Sequence, residues 1–210
     1  MTDRLTSDAL RTLLSGPLPG EAAQLRMAPR FRGEFPNNGK APEAAVVFVI
    51  YRENGLLHTV FIRRNVYPGP HSAQVSLPGG MKEAGDCSLE ETAIRELREE
   101  TGIAGVALSV LGALTPLHIP VSNILVYPFV AWAEGQPAFN PDPEEVQYLI
   151  RPSLEDLFAA SAIEEEMLER HGTRFPVPYF RCGRDKIWGA TAMMISELKE
   201  LICSGLPGRG

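Results

Sequence analysis

Three glutamates close together in the chain, Glu96, Glu99 and Glu100, have a spacing that could bind a metal ion. Residues three and four apart on a helix are neighbours, so Glu96 would lie beside both of the others. On an exposed helix this cluster is only an acidic, solvated surface, because each like-charge pair costs about 0.2–0.5 kcal/mol. In a cleft the carboxylates need a cation, and ligands that are all oxygen favour Mg2+ or Mn2+. The pair Gly79-Gly80 favours a cleft, since glycines let the backbone approach an ion or a phosphate closely.

A helix is predicted to carry these glutamates. Ser88 and Glu91 form a capping box at its start, and Gly102 is expected to end it by taking the left-handed conformation. At helical spacing Arg95 would pair with Glu91 or Glu99, and it is therefore interpreted as structural. One apolar stripe, which should face a core, consists of Leu89, Ala93 and Leu97.

The stretch 77–103 resembles the Nudix box, whose usual form is G-x5-E-x7-R-E-U-x-E-E-x-G-U, with U a bulky aliphatic residue. The second half of the box is matched without exception, by Arg95, Glu96, Leu97, Glu99, Glu100, Gly102 and Ile103. The first half carries one inserted residue. The usual glutamate position therefore holds Asp86 when counted from Gly80, and Cys87 when counted from Arg95.

This resemblance implies an α/β protein with the Nudix fold, in which a mixed β-sheet lies between helices. It also implies a hydrolase that cleaves the diphosphate linkage of a nucleoside diphosphate derivative with Mg2+ or Mn2+. Glu96, Glu99, Glu100 and the carbonyl group of Gly80 would bind the metal ion. Glu96 and Glu100 are expected to be catalytic, with Glu96 the first choice as acceptor of the proton from the attacking water.

The residues before the box resemble the coenzyme A pyrophosphatase branch of that family, which typically shows L-L-T-x-R and, after a variable segment, H-A-G-Q-V-S-F-P-G-G. The matching residues are Arg64, His71, Gln74, Val75, Ser76, Pro78, Gly79 and Gly80. The branch implies coenzyme A or a derivative as substrate, cut to 3′,5′-ADP and 4′-phosphopantetheine. The expected substrate-binding residues are Arg64, His71, Gln74, Ser76 and Lys82. Of these, Arg64, His71 and Lys82 would face the diphosphate and a further 3′-phosphate.

Three other interpretations are open at this stage. Another substrate, such as ADP-ribose or a dinucleoside polyphosphate, fits the same box, and Pro116 and Pro120 bracket a place where some ADP-ribose enzymes of the family carry a proline. A nucleotide-sensing module without catalysis could use the same scaffold, although the intact Arg-Glu-Leu-x-Glu-Glu run disfavours it. A structural domain would leave the acidic helix as surface. The sequence holds no Cys-x-x-Cys pair, which argues against the zinc-binding NADH branch.

Length and composition predict a single domain over 1–210, with a helical extension over 1–35. The net charge of -6 argues against a nucleic-acid partner and leaves a small-molecule nucleotide as the expected one. The three cysteines are far apart, no signal segment is visible, and the longest apolar run is too short to cross a bilayer. We therefore expect a cytoplasmic protein without a membrane partner. A homodimer is left open, since no residue indicates one.

Local patterns predict the remaining elements. Helices are expected over 6–15 and 21–27, with Ser7 or Asp8 capping the first, and an apolar helix over 190–202 should close the core. The acidic segment 163–170 is predicted as a solvated helix. Strands are predicted over 44–51, 58–64, 106–114, 125–133, 146–150, 176–180 and 186–188. Within the second of these strands, Arg63 and Arg64 would point to opposite faces.

Overall fold

The computed structural model describes residues 5–30, 41–66, 73–170 and 172–205, without the side chain of Arg170. Its α-helices are α1 Ser7–Leu14, α2 Gly20–Gln24, α3 Leu89–Thr101, α4 Leu154–Phe158 and α5 Gly189–Gly205. Short 3-10 turns follow α2 and α4, at Leu25–Met27 and Ala160–Ala162. None of the helices in these described ranges is both long enough and apolar enough to cross a membrane.

The strands belong to three sheets. The central sheet contains β1 Glu43–Glu53, β2 Leu56–His58, β5 Gly79–Met81, β6 Ala107–Ala113, β7 Leu117–Ile119 and β8 Ile124–Glu134. A second sheet contains β3 Phe61–Arg64, β4 Val75–Ser76 and β9 Val146–Ile150. The third contains β10 Ile163–Arg170, β11 Thr173–Cys182 and β12 Asp185–Trp188.

The central sheet is mixed, with the order β2-β1-β8-β6. β1 and β8 are parallel, whereas β1 pairs with β2 and β5, and β8 with β6 and β7, in antiparallel fashion. Parallel strands are normally buried on both faces, and β1 is a near-continuous β-branched and aromatic run of that kind. The predicted mixed sheet is therefore confirmed.

The two faces of β1 pack in two separate hydrophobic clusters. Val47 and Val49 share one cluster with Leu97 of α3. Phe48 and its neighbours on the opposite face share the other cluster with Leu198 of α5. Because side chains alternate along a strand, this single run places helices on both sides of the sheet, as predicted.

Helix α3 begins and ends where its sequence predicts. The Ser88 hydroxyl accepts a hydrogen bond from the Glu91 N–H at 3.1 Å, and Gly102 ends the helix with a φ of 58°. The return bond of the capping box differs slightly, because the Glu91 carboxylate accepts from the Cys87 N–H rather than from that of Ser88. Both ends of the helix are thus fixed by local contacts.

Two of the predicted elements are wrong. The single strand predicted over 58–64 is split, since Leu56–His58 pairs with β1 while Phe61–Arg64 belongs to the second sheet. The helix predicted over 163–170 is the strand β10, paired along its length with β11. Its exposure alternates with a period of two, and Glu164 and Glu166 bind Arg181 and Lys186 of the neighbouring strands. Cross-strand pairing therefore outweighs the weak helix signal of an acidic run.

Helix α2 is tied to α5 and to Thr115 by one buried carboxylate. Glu197 of α5 is fully buried and accepts hydrogen bonds from the Gly20 N–H, the Gln24 side chain, and the backbone and hydroxyl of Thr115. Helix α1 itself is capped by Thr6, and not by Ser7 or Asp8 as predicted. The predicted helix 21–27 is confirmed as α2 and its 3-10 turn.

Candidate active site

The chain bends at Pro78 and enters strand β5 at Gly79. This bend with the two glycines, here termed the Gly79-Gly80 turn, lies unusually close to β1. A methyl group on Gly79 would be 2.3 Å from the Ala45 carbonyl oxygen and 2.6 Å from the Val46 Cα atom. β5 pairs with β1 at these two residues, so the turn can hold this position only when residue 79 has no side chain.

Gly80 makes room for a carboxylate rather than for the sheet. A methyl group on Gly80 would be 2.3 Å from Oε1 of Glu96, so that carboxylate lies directly against the backbone of the turn. The Glu96 side chain is 14% exposed. Burial raises the pKa of Glu96 above its ordinary value, and the adjacent Arg95 guanidinium opposes this shift.

Glu100 is buried beside the same turn. Its Oε2 accepts a hydrogen bond from the Gly79 N–H at 2.9 Å, and its Oε1 accepts one from Nη1 of Arg64 at 3.2 Å. The side chain is only 1% exposed. Burial raises the pKa of Glu100 to about 8, although the Gly79 and Arg64 contacts lower it. Two carboxylates thus meet the Gly79-Gly80 turn, one from each of two successive turns of α3.

Glu99, the third glutamate, is bound to Arg95. Nη1 of Arg95 donates to Oε1 of Glu96 at 2.9 Å and to Oε2 of Glu99 at 2.8 Å. The Glu99 side chain is 56% exposed. The guanidinium therefore supplies the positive charge between Glu96 and Glu99, and the predicted Arg95–Glu99 pair is confirmed. The alternative partner, Glu91, instead caps the start of the helix.

Asp86 fixes Arg95 from the other side. Nε and Nη2 of Arg95 donate to the two carboxylate oxygens of Asp86, each at 3.0 Å, and Thr92 donates to the same carboxylate. The Arg95 hydrogen bonds hold the pKa of Asp86 well below its usual range. Sequence reasoning noticed Asp86 only as a departure from the box. Its position when counted from Gly80 was the signal that it takes the place of the usual glutamate.

The donor atoms near the turn are all oxygens, which fits a hard divalent ion. In the described residues, however, no three acidic, histidine or cysteine side chains converge closely enough to hold an ion. Glu96 is already beside Gly80, whereas Glu99 is held by Arg95, and Glu100 by Gly79 and Arg64. The four predicted metal ligands are thus neighbours, but only two of them are in contact.

Arg63 and Arg64 diverge as predicted. Arg64 reaches Glu100, whereas Nη1 of Arg63 lies 3.6 Å from Asp185 of β12. The two consecutive arginines therefore serve different sites on the two faces of β3.

The other predicted substrate-binding residues are more scattered. Lys82 is exposed, and its N–H donates to the Glu43 carbonyl at 3.2 Å. The Ser76 hydroxyl is buried and has no hydrogen-bond partner among the described residues. The Gln74 carbonyl accepts from the Arg64 N–H at 3.0 Å, and Gln74 also lines a cavity with Arg63. His71 lies outside the described residues.

Comparisons with known proteins agree with this architecture. A family model described as the NUDIX domain matches residues 40–171. The uncharacterised Nudix hydrolase NudL of Pectobacterium atrosepticum is 33% identical over 175 residues, which cover 83% of this chain and 88% of the relative. NudL of Yersinia enterocolitica is 30% identical over 202 residues, 96% of this chain and 99% of the relative. The crystal structure of the Nudix hydrolase RenU from M. smegmatis superposes with a TM-score of 0.50. The match covers 86% of this chain and 99% of RenU at 15% sequence identity, which shows a likeness of fold.

Proposed function

The chain belongs to the Nudix hydrolase family, enzymes that act on phosphorus-containing anhydrides, and we propose that it hydrolyses the diphosphate linkage of coenzyme A. The products would be 3′,5′-ADP and 4′-phosphopantetheine. The observation that carries the hydrolysis of a diphosphate is the meeting of Glu96 and Glu100 at the Gly79-Gly80 turn, with the Arg64 guanidinium beside them. The choice of coenzyme A rests on the sequence resemblance of the residues before the box. Carboxylates for a metal ion and a cation for a diphosphate are the groups that this reaction needs.

The residues of the turn and of α3 would hold a divalent ion, Mg2+ or Mn2+. Glu96 and the Gly80 carbonyl are already adjacent, and Glu99 and Glu100 would complete the ligands by rotating about their side-chain bonds. When bound, such an ion neutralises phosphate charge and lowers the pKa of a coordinated water. Arg95 would remain bound to Asp86, which keeps its charge at the edge of the site.

The chemical step is the attack of a water molecule on one phosphorus atom of the diphosphate. The bond between that phosphorus and the bridging oxygen breaks, and the bridging oxygen leaves with the other phosphate. The proton of the water passes to a carboxylate, with Glu96 as our first choice because it lies against Gly80 and is more exposed than Glu100. No covalent intermediate with a serine or cysteine is required, because positioning and electrostatics carry such reactions.

Substrate binding would begin at Arg64. Its guanidinium donates to Glu100 through Nη1, and its buried Nε has no hydrogen-bond partner among the described residues, so the group keeps donors for a diphosphate. Gln74, Ser76, Lys82 and His71 are proposed to add contacts to the same substrate, as the sequence resemblance implies.

A panel of substrates tests this proposal. Purified protein is incubated with coenzyme A, ADP-ribose and diadenosine polyphosphates, each with Mg2+ or Mn2+, and the products are identified by mass spectrometry. We expect coenzyme A to give the highest kcat/KM and to release 3′,5′-ADP. Preference for ADP-ribose or a dinucleoside polyphosphate would overturn the coenzyme A assignment while leaving the hydrolase in place.

A matched pair of variants tests the site. Glu100→Gln should lower metal-dependent turnover at least about 100-fold, because it removes a charge from the ligand set. Glu90→Gln is the control, since Glu90 is exposed on the same helix. Equal activity of the two variants would refute the role of Glu100.

A further inference from the structure

A cavity of about 480 Å³ lies beside β3, lined by residues from both smaller sheets. Arg63, Tyr148, Arg184, Lys186 and Trp188 line it, together with Gln74. Of these residues, only Gln74 is among the predicted substrate-binding residues. The volume is in the range of small-molecule sites.

The cavity is on the opposite face of β3 from Glu100. Arg63 and Tyr148 are directly opposite each other in the antiparallel pair of β3 and β9, so their side chains share one face. Arg64, the next residue, contacts Glu100 on the other face. The second sheet ends at β4, which is only two residues long, about 7 Å of strand. Next to β4, the Gln74 carbonyl accepts from the Arg64 N–H at 3.0 Å, and Gln74 also lines the cavity, so the cavity adjoins the strand that carries Arg64.

The charges that line the cavity favour an anion. Asp185 accepts from the Tyr148 hydroxyl at 2.8 Å and lies 3.6 Å from Arg63, while Lys186 is paired with Glu166. With Arg184, the lining contains three cations, Arg63, Arg184 and Lys186, and two carboxylates, Asp185 and Glu166. One positive charge is therefore in excess.

Two arginines retain donors for a ligand. The guanidinium carbon of Arg184 is 4.7 Å from the centre of the Tyr148 ring, and no carboxylate in the described ranges forms an ion pair with it. The Nε atom of Arg63 is buried and has no hydrogen-bond partner within the same ranges. A phosphate group bound here would accept from both side chains.

Trp188 adds a surface for an aromatic ring. It is partly exposed at the end of β12 and lines the same cavity as the arginines. Stacking of a nucleobase on an aromatic side chain suits any base, because every base has a π-face. An aromatic platform beside unpaired guanidinium donors is the combination that binds a nucleoside with its own phosphate.

The origin of the lining residues suggests a role in substrate choice. Arg184, Lys186 and Trp188 lie beyond residue 171, where the match to the family model ends, whereas Glu96 and Glu100 lie within it. The shared domain thus carries the chemistry, and the C-terminal strands complete a cavity that the shared domain alone would lack.

We propose that this cavity binds the phosphorylated nucleoside end of the substrate, with Arg184 and Arg63 on the phosphate that is separate from the diphosphate and Trp188 on the base. The assignment rests on the proposed function, and it gives the two arginines of β3 different phosphate groups to bind. Arg64 contacts the diphosphate at the turn, and Arg63 contacts the remote phosphate.

Binding without turnover is the first test. Metal-free protein is titrated with 3′,5′-ADP and with 5′-AMP, and tryptophan fluorescence is recorded. Trp188 is the partly exposed tryptophan, whereas Trp132 is only 6% exposed in the core. We expect saturable binding of 3′,5′-ADP to the parent protein. Trp188→Phe should abolish the fluorescence change, and Arg184→Ala should weaken the affinity about tenfold.

Arg181→Ala is the matched control. Arg181 is an exposed arginine of the same sheet that pairs with Glu164 and does not line the cavity. Its replacement should leave 3′,5′-ADP binding unchanged. An equal loss in Arg181→Ala and Arg184→Ala, or no saturable binding to the parent protein, would overturn the proposal.

Kinetics separate this inference from the proposed function. The ratio of kcat/KM for coenzyme A over dephospho-coenzyme A should fall about tenfold in Arg184→Ala and stay constant in Arg181→Ala. If coenzyme A is hydrolysed and this ratio does not change, the cavity assignment is wrong while the proposed function stands. If coenzyme A is not hydrolysed but 3′,5′-ADP binds in an Arg184-dependent manner, the proposed function fails and the cavity keeps its ligand class.

Discussion

Gly79 and Gly80 are neighbours in the same turn, yet a methyl group would meet different atoms at each position. At Gly79 it would meet backbone atoms of β1, which cannot move away. At Gly80 it would meet the carboxylate of Glu96, which is the free end of a flexible side chain. One glycine is therefore required by the fold and the other by the site.

This contrast gives a prediction for a pair of alanine variants. Gly79→Ala should lower the free energy of unfolding by about 3 kcal/mol, because the methyl group overpacks against backbone. Gly80→Ala should stay within about 1 kcal/mol of the parent protein but lose activity about 100-fold, because Glu96 is displaced. Urea unfolding and metal-dependent turnover measure the two effects. The reverse order, with Gly80→Ala the less stable variant, would contradict the described position of Glu96.

The buried Glu100 carboxyl should make the stability of the metal-free protein depend on pH. Its pKa is raised by burial from 4.5 to about 8. Below pH 4.5 the carboxyl is protonated in the folded and in the unfolded protein, so its burial as a charge does not lower the free energy of unfolding. Between pH 4.5 and 8 the unfolded chain releases this proton while the folded protein keeps it, so stability falls as the pH rises and levels off above about 8.

The variant Glu100→Gln isolates this contribution. Between pH 5 and 8, in the presence of a chelator, the parent protein should lose on the order of 3 kcal/mol relative to the variant. Urea unfolding at several pH values provides the comparison. Parallel pH profiles for the two proteins would show that Glu100 is ionised in the folded state.

At the scale of the elements, local signals predicted those structures that local contacts determine. Helix α3 was predicted within a residue at each end, because Ser88 and Gly102 fix its limits through neighbouring residues. The strand β10 was predicted as a helix, because its acidic run favours a solvated helix. The cross-strand pairing with β11 and the ion pairs with Arg181 and Lys186, which decide for a strand, form only in the folded sheet. The bond between Asp86 and Arg95 could be predicted only in part. Both residues were noted, but only the folded turn brings them together.

The buried Glu197 holds α2 against α5 and Thr115. Glu197→Ala would leave four donors from α2 and Thr115 without an acceptor, and we expect a loss of about 3 kcal/mol or more in the free energy of unfolding. Glu200→Ala on the same helix is the control. Glu200 pairs with the exposed Arg26, so its loss should cost about 0–1 kcal/mol. Similar unfolding midpoints for both variants would contradict the proposed role of Glu197.

At the scale of the whole molecule, the fold and the chemistry could be predicted together from the sequence, but the cavity beside β3 could not. The box in the sequence placed Glu96 and Glu100 beside Gly79 and Gly80, and the fold brings them together there. The cavity forms only when strands separated by many residues pack side by side, and nothing near Arg184 in the sequence indicates its partner Tyr148. The proposed catalytic residues are therefore readable from the sequence, whereas the proposed binding cavity depends on tertiary structure.

The central claim is that Glu96 and Glu100 bind a divalent ion at the Gly79-Gly80 turn. Titration of the protein with Mn2+, followed by electron paramagnetic resonance of the free ion, tests it most directly. The account predicts binding by the parent protein and by Glu90→Gln with equal affinity, and at least about tenfold weaker binding by Glu96→Gln and Glu100→Gln. Equal affinity in all four proteins would contradict it.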